Sequence, residues 1–583
     1  MPDEPAARTA RWCVLGRSAD GAWSSVEITG QGPPTAETPI PHGDLPGFIA
    51  ARERAGSWRW VWHDTAAIAP SLLAQGIRVE RCHDLRLCHQ ILRNSSLVTD
   101  RTALAAATEW AAPPPAPEAP RADTGPTLFD LAAKRRRGGT PESTSAAVEE
   151  FARQRAALAA APSRPRLALL LAAESAGALI AAELTSAGVP WDAETHDEIL
   201  SEALGPRPAS GARPARMQAI GDEVRRRLGD PTVSLDSAPK LLAALRAAGI
   251  PVASTSQWEL REHAHPAIPP LLEYKRLARL LSANGWAWID EWVRDGRYRP
   301  IYVPGGVVTG RWTSSGGGAL QIPRLLRPAL RADPGWTLVS ADVAQLEPRI
   351  LAAMSGDRAM LAASTGKDLY AGIVESGAVA TRQEAKMAML GAMYGATTGD
   401  SGRLVPRLRR AFPDAMRLVD EAAATGERGG IVTTWLGRSS PAPSNDWHSL
   451  QAAASVHDAS PGMQESARRA AREQGRFTRN FVVQGSAAEW ALAWMAGLRL
   501  QLSAFEPVAP ERSAGASGIA FARTPHLAFF LHDEIIVHTP REHADEVAAA
   551  AASAADAAGK AVFGRTPVEF RLDLTIAERA EKG

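Results

Sequence analysis

The chain has 583 residues, of which 45% are hydrophobic and 22% are charged, and its formal net charge is +1. This length exceeds what one hydrophobic core usually organises, and the composition is that of a soluble globular protein, so we expect several domains. The three cysteines exclude a disulfide framework and suit a reducing cytoplasm, whereas the near-neutral total does not exclude a local basic channel.

Residues 1–100 are predicted to form a small α/β unit. Short apolar runs such as Trp58–Trp62 alternate there with helix-like stretches such as 85–92. The acidic opening of the chain lacks the apolar segment of a secretory signal, which agrees with a cytoplasmic protein.

Residues 101–164 are predicted to be a linker, because this Pro- and Ala-rich sequence can bury little apolar surface. A run of four basic residues at 134–137 lies within it. We interpret the run as a solvated segment, and a nucleic-acid contact is the alternative.

From residue 165 onward the patterns of helices and strands are mixed. The apolar stretch 167–184 carries Glu174 and Glu183, which a membrane-spanning helix would tolerate poorly, so we predict a buried helix and no membrane partner. The elements predicted around and beyond it are helices to about 295, strands at 298–312 and 336–343, helices at 366–425 and an apolar hairpin at 526–540. Helices mixed with non-sequential strands indicate the α+β class.

Three short segments carry residues suited to phosphate chemistry. Asp342 stands at the end of an apolar strand, and Asp533 with Glu534 occupies the tip of the hairpin. Arg382 and Lys386 are four residues apart, so they share one face of a helix. Taken singly, the segments have ordinary interpretations as a helix cap, a turn and a solvated basic face. Their order in one chain favours a common function.

In this order the segments resemble motifs A, B and C of the family A (DNA-polymerase-I-like) DNA polymerases. The segments 309–311 and 484–488 are further matches, and the resemblance covers about residues 165–583. It implies a right-hand polymerase fold and the template-directed addition of deoxynucleoside triphosphates to a primer on DNA. The implied divisions are a helical connector and thumb at 165–300, palm at 301–360, fingers at 361–450 and the second part of the palm at 451–583.

The resemblance also implies a site for two Mg²⁺ ions, for which Mn²⁺ is a substitute, held by Asp342 and Asp533. Nucleotidyl transfer needs an activated 3′-hydroxyl and a neutralised pyrophosphate, and two ions about 3.5–4 Å apart serve both needs. Mg²⁺ keeps several waters, so two carboxylates and the substrate phosphates suffice as ligands. By resemblance, the backbone carbonyl of Val343 is a further ligand and Glu534 is a lesser catalytic group beside the aspartates.

The helix with Arg382 and Lys386 is expected to meet the triphosphate, and Lys386 to donate a proton to pyrophosphate. By resemblance, Glu347 occupies the space that a ribose 2′-oxygen would need and so selects deoxyribose. The expected nucleotide-contacting residues are Arg382, Lys386, Leu390, Tyr394, Glu347, Gln345 and Tyr370. The expected contacts with primer, template or minor groove are Arg311, Gln321, Arg476, Asn480, Gln484 and His532.

Several features depart from the family pattern. Leu390 stands where the family has an aromatic residue, which bears on sugar discrimination, and Tyr370 stands where it often has His. Family relatives often carry a proofreading exonuclease with four carboxylates and a Tyr-x-x-x-Asp segment. Here the first tyrosine is Tyr274, residues 1–100 contain no Asp-x-Glu, and Asp64 and Asp84 are isolated in the sequence. We therefore expect a reduced exonuclease-like N-terminal domain without active proofreading.

Two smaller signals have alternatives. Cys82 and Cys88, each followed by His, invite a zinc site, but their spacing fits structural zinc poorly, so we predict two cysteines on a buried helix. In the linker, Leu128 and Phe129 resemble part of a sliding-clamp-binding peptide that lacks its leading glutamine. A local hydrophobic docking site is the alternative there.

Three other functions are weighed against the polymerase. A non-catalytic DNA-binding relative is disfavoured because Asp342 and Asp533 are retained. A single-subunit RNA polymerase would share the fold and metals, but Glu347 favours DNA. A metal-dependent nuclease would leave Arg382 and Lys386 unexplained. We expect a monomeric, nucleoid-associated DNA polymerase of the cytoplasm that acts in replication or repair.

Overall fold

The computed structural model describes residues 11–30, 32–41, 44–56, 58–111, 139–209, 212–316, 318, 322–366, 368–395 and 399–580. An N-terminal α/β unit is followed by a helical region and by a four-stranded antiparallel sheet with long helices packed against it. This is the predicted α+β class.

The N-terminal unit is built on a mixed sheet. Its elements are β1 (Arg11–Arg17), β2 (Trp23–Thr29), β3 (Thr38–Pro39), α1 (Leu45–Ala55), β4 (Trp58–Trp62), α2 (Thr65–Leu73), β5 (Cys82–Asp84) and α3 (Leu85–Asn94). The strand order is β3-β2-β1-β4-β5, in which β1 pairs antiparallel with β2 and parallel with β4. Trp60 and Trp62 are fully buried, so the unit has a core of its own.

The prediction that residues 101–164 form a linker is wrong for the part of this range that the structure describes. Helix α4 (Thr102–Ala106) and helix α5 (Thr144–Ala160) lie within it, and α5 packs against β1. The Ala-rich sequence of α5 is a good helix former, and its buried Phe151 contacts the ring of Trp12 at 5.0 Å between centroids. The remainder, 112–138, lies outside the described residues, and with it the basic run 134–137 and Leu128 and Phe129.

Helix α6 (Arg164–Ala187) connects this unit to the rest of the chain. Glu174 and Glu183 are both buried on it, and they pair with Arg438 and Arg499. By length and composition α6 is the one helix in the described ranges that could cross a membrane, but 72% of its most apolar window is buried within the protein. It is therefore a core helix, as predicted.

A buried ion-pair group crosses the boundary between the N-terminal unit and α6. Glu183 accepts from Arg499 and also pairs with Arg78 at 3.3 Å. The guanidinium of Arg499 donates further hydrogen bonds to the carbonyl oxygens of Val79 and Glu80. Buried charges of this kind are destabilising without their partners. Apolar side chains of the N-terminal unit and of the remaining chain also belong to one buried cluster, so the two parts share a continuous interior.

A helical region with short strands follows α6. Its elements are β6 (Val189–Pro190), α7 (Ala193–Leu204), α8 (Ala215–Leu228), α9 (Ala238–Ala247), α10 (Gln257–Arg261), α11 (Ile268–Asn284), α12 (Trp286–Trp292), β7 (Val293–Arg294), β8 (Arg297–Tyr298), β9 (Ile301–Val303) and β10 (Thr313–Gly316). Tyr274 on α11 is buried against Gly221 of α8, so these helices pack as one layer.

The second half of the chain surrounds a sheet of order β12-β13-β11-β14. Its strands are β11 (Trp336–Val343), β12 (His526–Leu531), β13 (Glu534–Pro540) and β14 (Leu572–Ala577). The helices are α13 (Leu346–Ser355), α14 (Arg358–Ser364), α15 (Leu369–Glu375), α16 (Arg382–Tyr394), α17 (Gly399–Ala411), α18 (Pro413–Glu427), α19 (Asn445–Ala454), α20 (Pro461–Leu502) and α21 (Ala544–Phe563). Helix α20 packs against α16 and α18 along its first half and against α6 and α21 along its second half.

Candidate active site

Asp342 and Asp533 lie side by side at one end of the central sheet. Strands β11 and β13 are antiparallel, and Asp342 is the register partner of Glu534. The amide of Val343 donates to the carbonyl oxygen of Asp533 at 3.1 Å. Adjacent strands thus bring together two carboxylates that are far apart in the sequence.

The carboxyl groups at this end of the sheet repel one another. Partial burial, followed by the charges of Asp533, Glu534 and Asp573, raises the pKa of Asp342 to about 7. Burial also raises the pKa of Asp533. A divalent cation would relieve this repulsion, and carboxylate oxygens are ligands that Mg²⁺ prefers. The donor set therefore fits the predicted metal, although no three His, Cys, Asp or Glu side chains in the described ranges already surround a common metal position.

Sequence reasoning missed two charged residues at this end of the sheet. Asp573 of β14 is the register partner of Asp342 on the side opposite to Glu534. Arg327 makes a two-pronged ion pair with Glu534, with one contact of 2.7 Å. The carboxylate of Glu534 therefore already has a protein cation as its partner. The alternation of the last strand could have indicated Asp573, but no local signal indicated Arg327.

Glu347, the predicted sugar-selecting residue, is held from two sides. Arg311 forms an ion pair with one carboxylate oxygen, and the hydroxyl of Tyr394 donates to the other at 3.0 Å. Burial, followed by the charge of Glu347, raises the pKa of Tyr394, so this phenol remains protonated and keeps donating. Three of the predicted residues therefore form one network.

The cations of α16 lie on an exposed face, as their spacing predicted. Arg382 and Lys386 are both exposed, and Leu390 is partly buried against the core. Arg382 makes an ion pair with Asp368, which sequence reasoning did not assign, and stands 5.6 Å from the ring centroid of Tyr370. In this state the Arg382 guanidinium is occupied by a protein carboxylate.

Strained backbone marks two of the predicted residues. Gln345 has φ of 52° and His532 has φ of 58°, values that non-glycine residues rarely adopt. The side chain of Gln345 accepts from the amide of Leu369 at 3.2 Å, so it ties α13 to α15. Nearby, Arg349 is fully buried and donates to four backbone carbonyl oxygens, among them Ala344 at 2.9 Å. The turn after β11 is therefore rigidly built.

The predicted DNA contacts on α20 form one stripe. Arg476, Asn480 and Gln484 are spaced by four residues and are each at least partly exposed. A Cβ on Gly395, which has φ of 71°, would lie 2.9 Å from Cγ of Arg476, so the close approach allowed by this glycine is to that side chain. Gln321 lies outside the described residues.

A recess that opens to solvent connects these parts. It is lined by Arg311, Glu347, His532 and Asp533, and by Ala487 and other small residues of α20. Burial lowers the pKa of His532, which favours its neutral form. The recess thus joins the predicted sugar-selecting residue to a predicted metal ligand.

Comparison with known proteins identifies the family. The sequence model described as DNA polymerase family A matches residues 245–578, which is more than half of the chain. The chain belongs to DNA polymerase family A. The DNA polymerase I of Chloroflexus aurantiacus is 29% identical over 362 residues, which are 57% of this chain and 34% of that protein. The thermostable DNA polymerase I of Thermus aquaticus is 26% identical over 326 residues, or 51% of this chain and 34% of that protein.

The fold of this family A member has a solved counterpart. The chain is similar to the POL domain of Pol1 from M. smegmatis, solved in complex with DNA primer-template and dNTP, with a TM-score of 0.64 and 17% identity. The similarity covers 98% of this chain and 95% of that one, which confirms the predicted polymerase fold. The chain spans about a third of the length of the curated relatives that it matches.

Two carboxylates of the N-terminal unit in this family A chain cap helices and so stabilise the local structure. Asp64 caps α2 through the amide of Ala66 and pairs with Arg86 at 2.9 Å. Asp84 accepts from the amide of Thr65 at 2.7 Å and caps α3. Burial, followed by the charge of Asp64, raises the pKa of Asp84 to about 6. The two aspartates, isolated in the sequence, are neighbours in the structure.

The cysteine prediction is wrong in one detail. Cys88 lies on buried helix α3, but Cys82 lies in strand β5, because the chain turns from strand to helix at Asp84. Burial raises the pKa of the Cys82 thiol to about 12 and that of Cys88 well above its usual range. Both thiols are therefore protonated near neutral pH, which disfavours zinc binding.

Proposed function

We propose that this family A protein is a DNA-directed DNA polymerase that adds deoxynucleoside triphosphates to a primer 3′ end. The observation that carries the proposal is the proximity of Asp342 and Asp533 at the end of one sheet. The names of the DNA polymerase I relatives support the activity, and the ligands of the M. smegmatis structure support DNA and dNTP as partners.

We propose that Asp342, Asp533 and the backbone carbonyl of Val343 hold two divalent ions, Mg²⁺ by preference and Mn²⁺ as a substitute. Such ions lower the pKa of the primer hydroxyl and neutralise the leaving group. The carboxylates of this chain supply the negative charge that such ions need, while Arg327 keeps Glu534 from adding an unpaired charge. The raised pKa of Asp342 means that this residue gives up a proton near neutral pH when it binds a cation.

Arg382 and Lys386 bind the triphosphate and orient it in this proposal. The ion pair between Arg382 and Asp368 is exposed, so it contributes little energy and a phosphate can replace the carboxylate. Lys386, one helical turn further along the exposed face, gives a proton to the departing pyrophosphate. Closure of α16 onto a matched base pair would bring both groups to the substrate.

The network around Glu347 selects the sugar in this proposal. Arg311 and Tyr394 fix both oxygens of the carboxylate, so Glu347 cannot move aside for a ribose 2′-hydroxyl without losing two contacts. The stripe of Arg476, Asn480 and Gln484 would follow the duplex beside it and read its shape more than its sequence.

Primer extension tests the proposal. A labelled primer on a longer template, with four dNTPs and Mg²⁺, is extended by the wild-type chain and is not extended by the Asp342→Asn or Asp533→Asn variants. Asp556→Asn changes an exposed aspartate of α21 in the same way and serves as the matched control that keeps activity. The proposal fails if the wild-type chain does not extend the primer, or if both site variants extend it at the wild-type rate.

We also propose that the chain lacks active proofreading and works as a monomer at the nucleoid, in replication or repair. The use of Asp64 and Asp84 as helix caps, with Arg86 on Asp64, supports the first part, because capped and paired carboxylates are poorly placed to bind catalytic metal. A mispaired, end-labelled primer incubated without nucleotides should keep its length. Shortening that is lost on Asp64→Asn or Asp84→Asn would refute this part.

A further inference from the structure

Arg311 projects from a tight turn. The amide of Gly310 donates to the carbonyl oxygen of Val307 at 2.8 Å, and the amide of Val307 donates to that of Arg311 at 3.1 Å. Gly310 has φ of 86°, a conformation that L side chains rarely adopt. The direction of the Arg311 side chain is therefore set by the conformation of this turn.

A buried ion pair lies directly against the turn. Glu174 of α6 pairs with Arg438 at 2.6 Å, and the Glu174 side chain is 1% exposed. A Cβ on Gly310 would lie 2.6 Å from Nε of Arg438, and a Cβ on Gly305 would lie 2.6 Å from Oε1 of Glu174. The backbone at both ends of residues 305–310 therefore packs closely against the two charged side chains.

The support beneath the turn is itself rigid. The amide of Arg438 donates to Oγ1 of Thr434 at 2.9 Å, and the amide of Leu436 donates to the buried carboxylate of Glu489 at 2.9 Å. Helix α6 also meets the other flank of Arg311, because a Cβ on Gly177 would lie 3.5 Å from the ring of Trp312. A change in the residues that pack against the turn is therefore expected to displace Arg311.

We propose that Glu174 and Arg438 are positioning residues, which act through Arg311 on the binding of primer-template DNA. The inference rests on the proposed function, since it concerns a residue expected to contact DNA. A buried charge pair holds its geometry strongly in a low-dielectric interior, and loss of one charge leaves the other uncompensated. The turn then relaxes, and Arg311 loses its fixed position at the recess.

A double-mutant cycle tests this role. Glu174→Gln removes the charge at nearly constant volume. The Kd for a primer-template duplex, from fluorescence anisotropy, and kcat/KM for a single dNTP addition are measured in the wild type, Glu174→Gln, Arg311→Ala and the double variant. We expect Glu174→Gln alone to weaken binding and lower kcat/KM by about threefold to tenfold, and to cause no further loss once Arg311 is absent, because coupled residues are not additive.

The chain offers a matched control on the same helix. Glu183 is also buried on α6 and paired with an arginine, but it lies against the N-terminal unit. Glu183 pairs with two arginines, so Glu183→Gln should lower the melting temperature at least as much as Glu174→Gln does, without changing the Kd. A purely structural role would make the two variants alike.

Two results would overturn the inference. One is a loss from Glu174→Gln that persists undiminished beside Arg311→Ala, and the other is an equal loss from Glu183→Gln. If Glu174→Gln does not fold, Arg438→Lys, which keeps the charge but withdraws the guanidinium from Gly310, is judged by the same criteria. A wild-type chain that binds duplex but never extends it would refute the proposed function alone, because the Kd cycle still decides the role of Glu174.

Discussion

Replacement of Asp342 by Asn is expected to stabilise the metal-free protein at pH 8 while abolishing primer extension. The charged form of Asp342 is disfavoured by partial burial and by the neighbouring carboxylates, which raise its pKa from 3.8 to about 7. Because the folded-state pKa lies above the unfolded value, the folded protein binds more protons between about pH 4 and 7, and its stability falls as the pH rises through that range. Asparagine removes this penalty.

The size of the effect follows from the shift. A rise in pKa from 3.8 to about 7 corresponds to about 4 kcal/mol of unfolding free energy, since each tenfold change in proton affinity is worth about 1.36 kcal/mol. Asp342 is open to solvent on one side, so screening reduces the expected gain to about 1–2 kcal/mol at pH 8. At pH 5 only about two fifths of this unfavourable free energy is present in the wild type, and the gain should shrink in proportion.

Urea unfolding in EDTA, at pH 5 and pH 8, measures this difference in the wild type, Asp342→Asn and the control Asp556→Asn. Mg²⁺ added at pH 8 should stabilise the wild type more than Asp342→Asn, because binding to the folded state shifts the equilibrium. The reasoning is refuted if Asp342→Asn gains nothing at pH 8, or gains equally at both pH values.

Three further predictions concern the nucleotide. Glu347→Ala should raise the use of ribonucleotides relative to deoxynucleotides by about 100-fold, which competitive single-nucleotide incorporation measures, and an unchanged ratio would contradict the assigned role. Tyr394→Phe removes the 3.0 Å hydrogen bond to Glu347 and should shift the same ratio by only about threefold to tenfold, since one such bond contributes about 1 kcal/mol. Asp368→Asn keeps the helix cap but frees Arg382, so the KM for dNTP should fall by up to about threefold in steady-state assays, and a higher KM would show that Asp368 orients Arg382 productively.

The sequence predicted best where local pattern and chain order coincide. Asp342 at a strand end and Asp533 at a hairpin tip had obvious positions once their strands were assigned as neighbours. The stripe of Arg476, Asn480 and Gln484 follows from helical spacing alone. Each of these placements depends on residues within one element, or on the pairing of two strongly apolar strands.

The sequence predicted least where distant side chains meet. The partners of Glu534 and Arg382, namely Arg327 and Asp368, are set by tertiary packing and leave no periodic signal. The positive φ of Gln345 is likewise imposed by the turn between β11 and α13. Helix α5 was overlooked for another reason, because the Pro-rich composition of 112–138 was extended to an Ala-rich neighbour that forms a regular helix.

The hydrogen bonds from Arg499 to Val79 and Glu80 bear on how the molecule could be divided. Removal of the residues before α6 would take away two backbone acceptors of the Arg499 guanidinium. It would also expose apolar side chains such as Leu179, which belongs to the N-terminal core. We therefore expect a fragment that begins at α6 to be less stable than the full chain, whether or not the first sheet has any chemistry of its own. The N-terminal unit thus contributes to the stability of the residues that follow it.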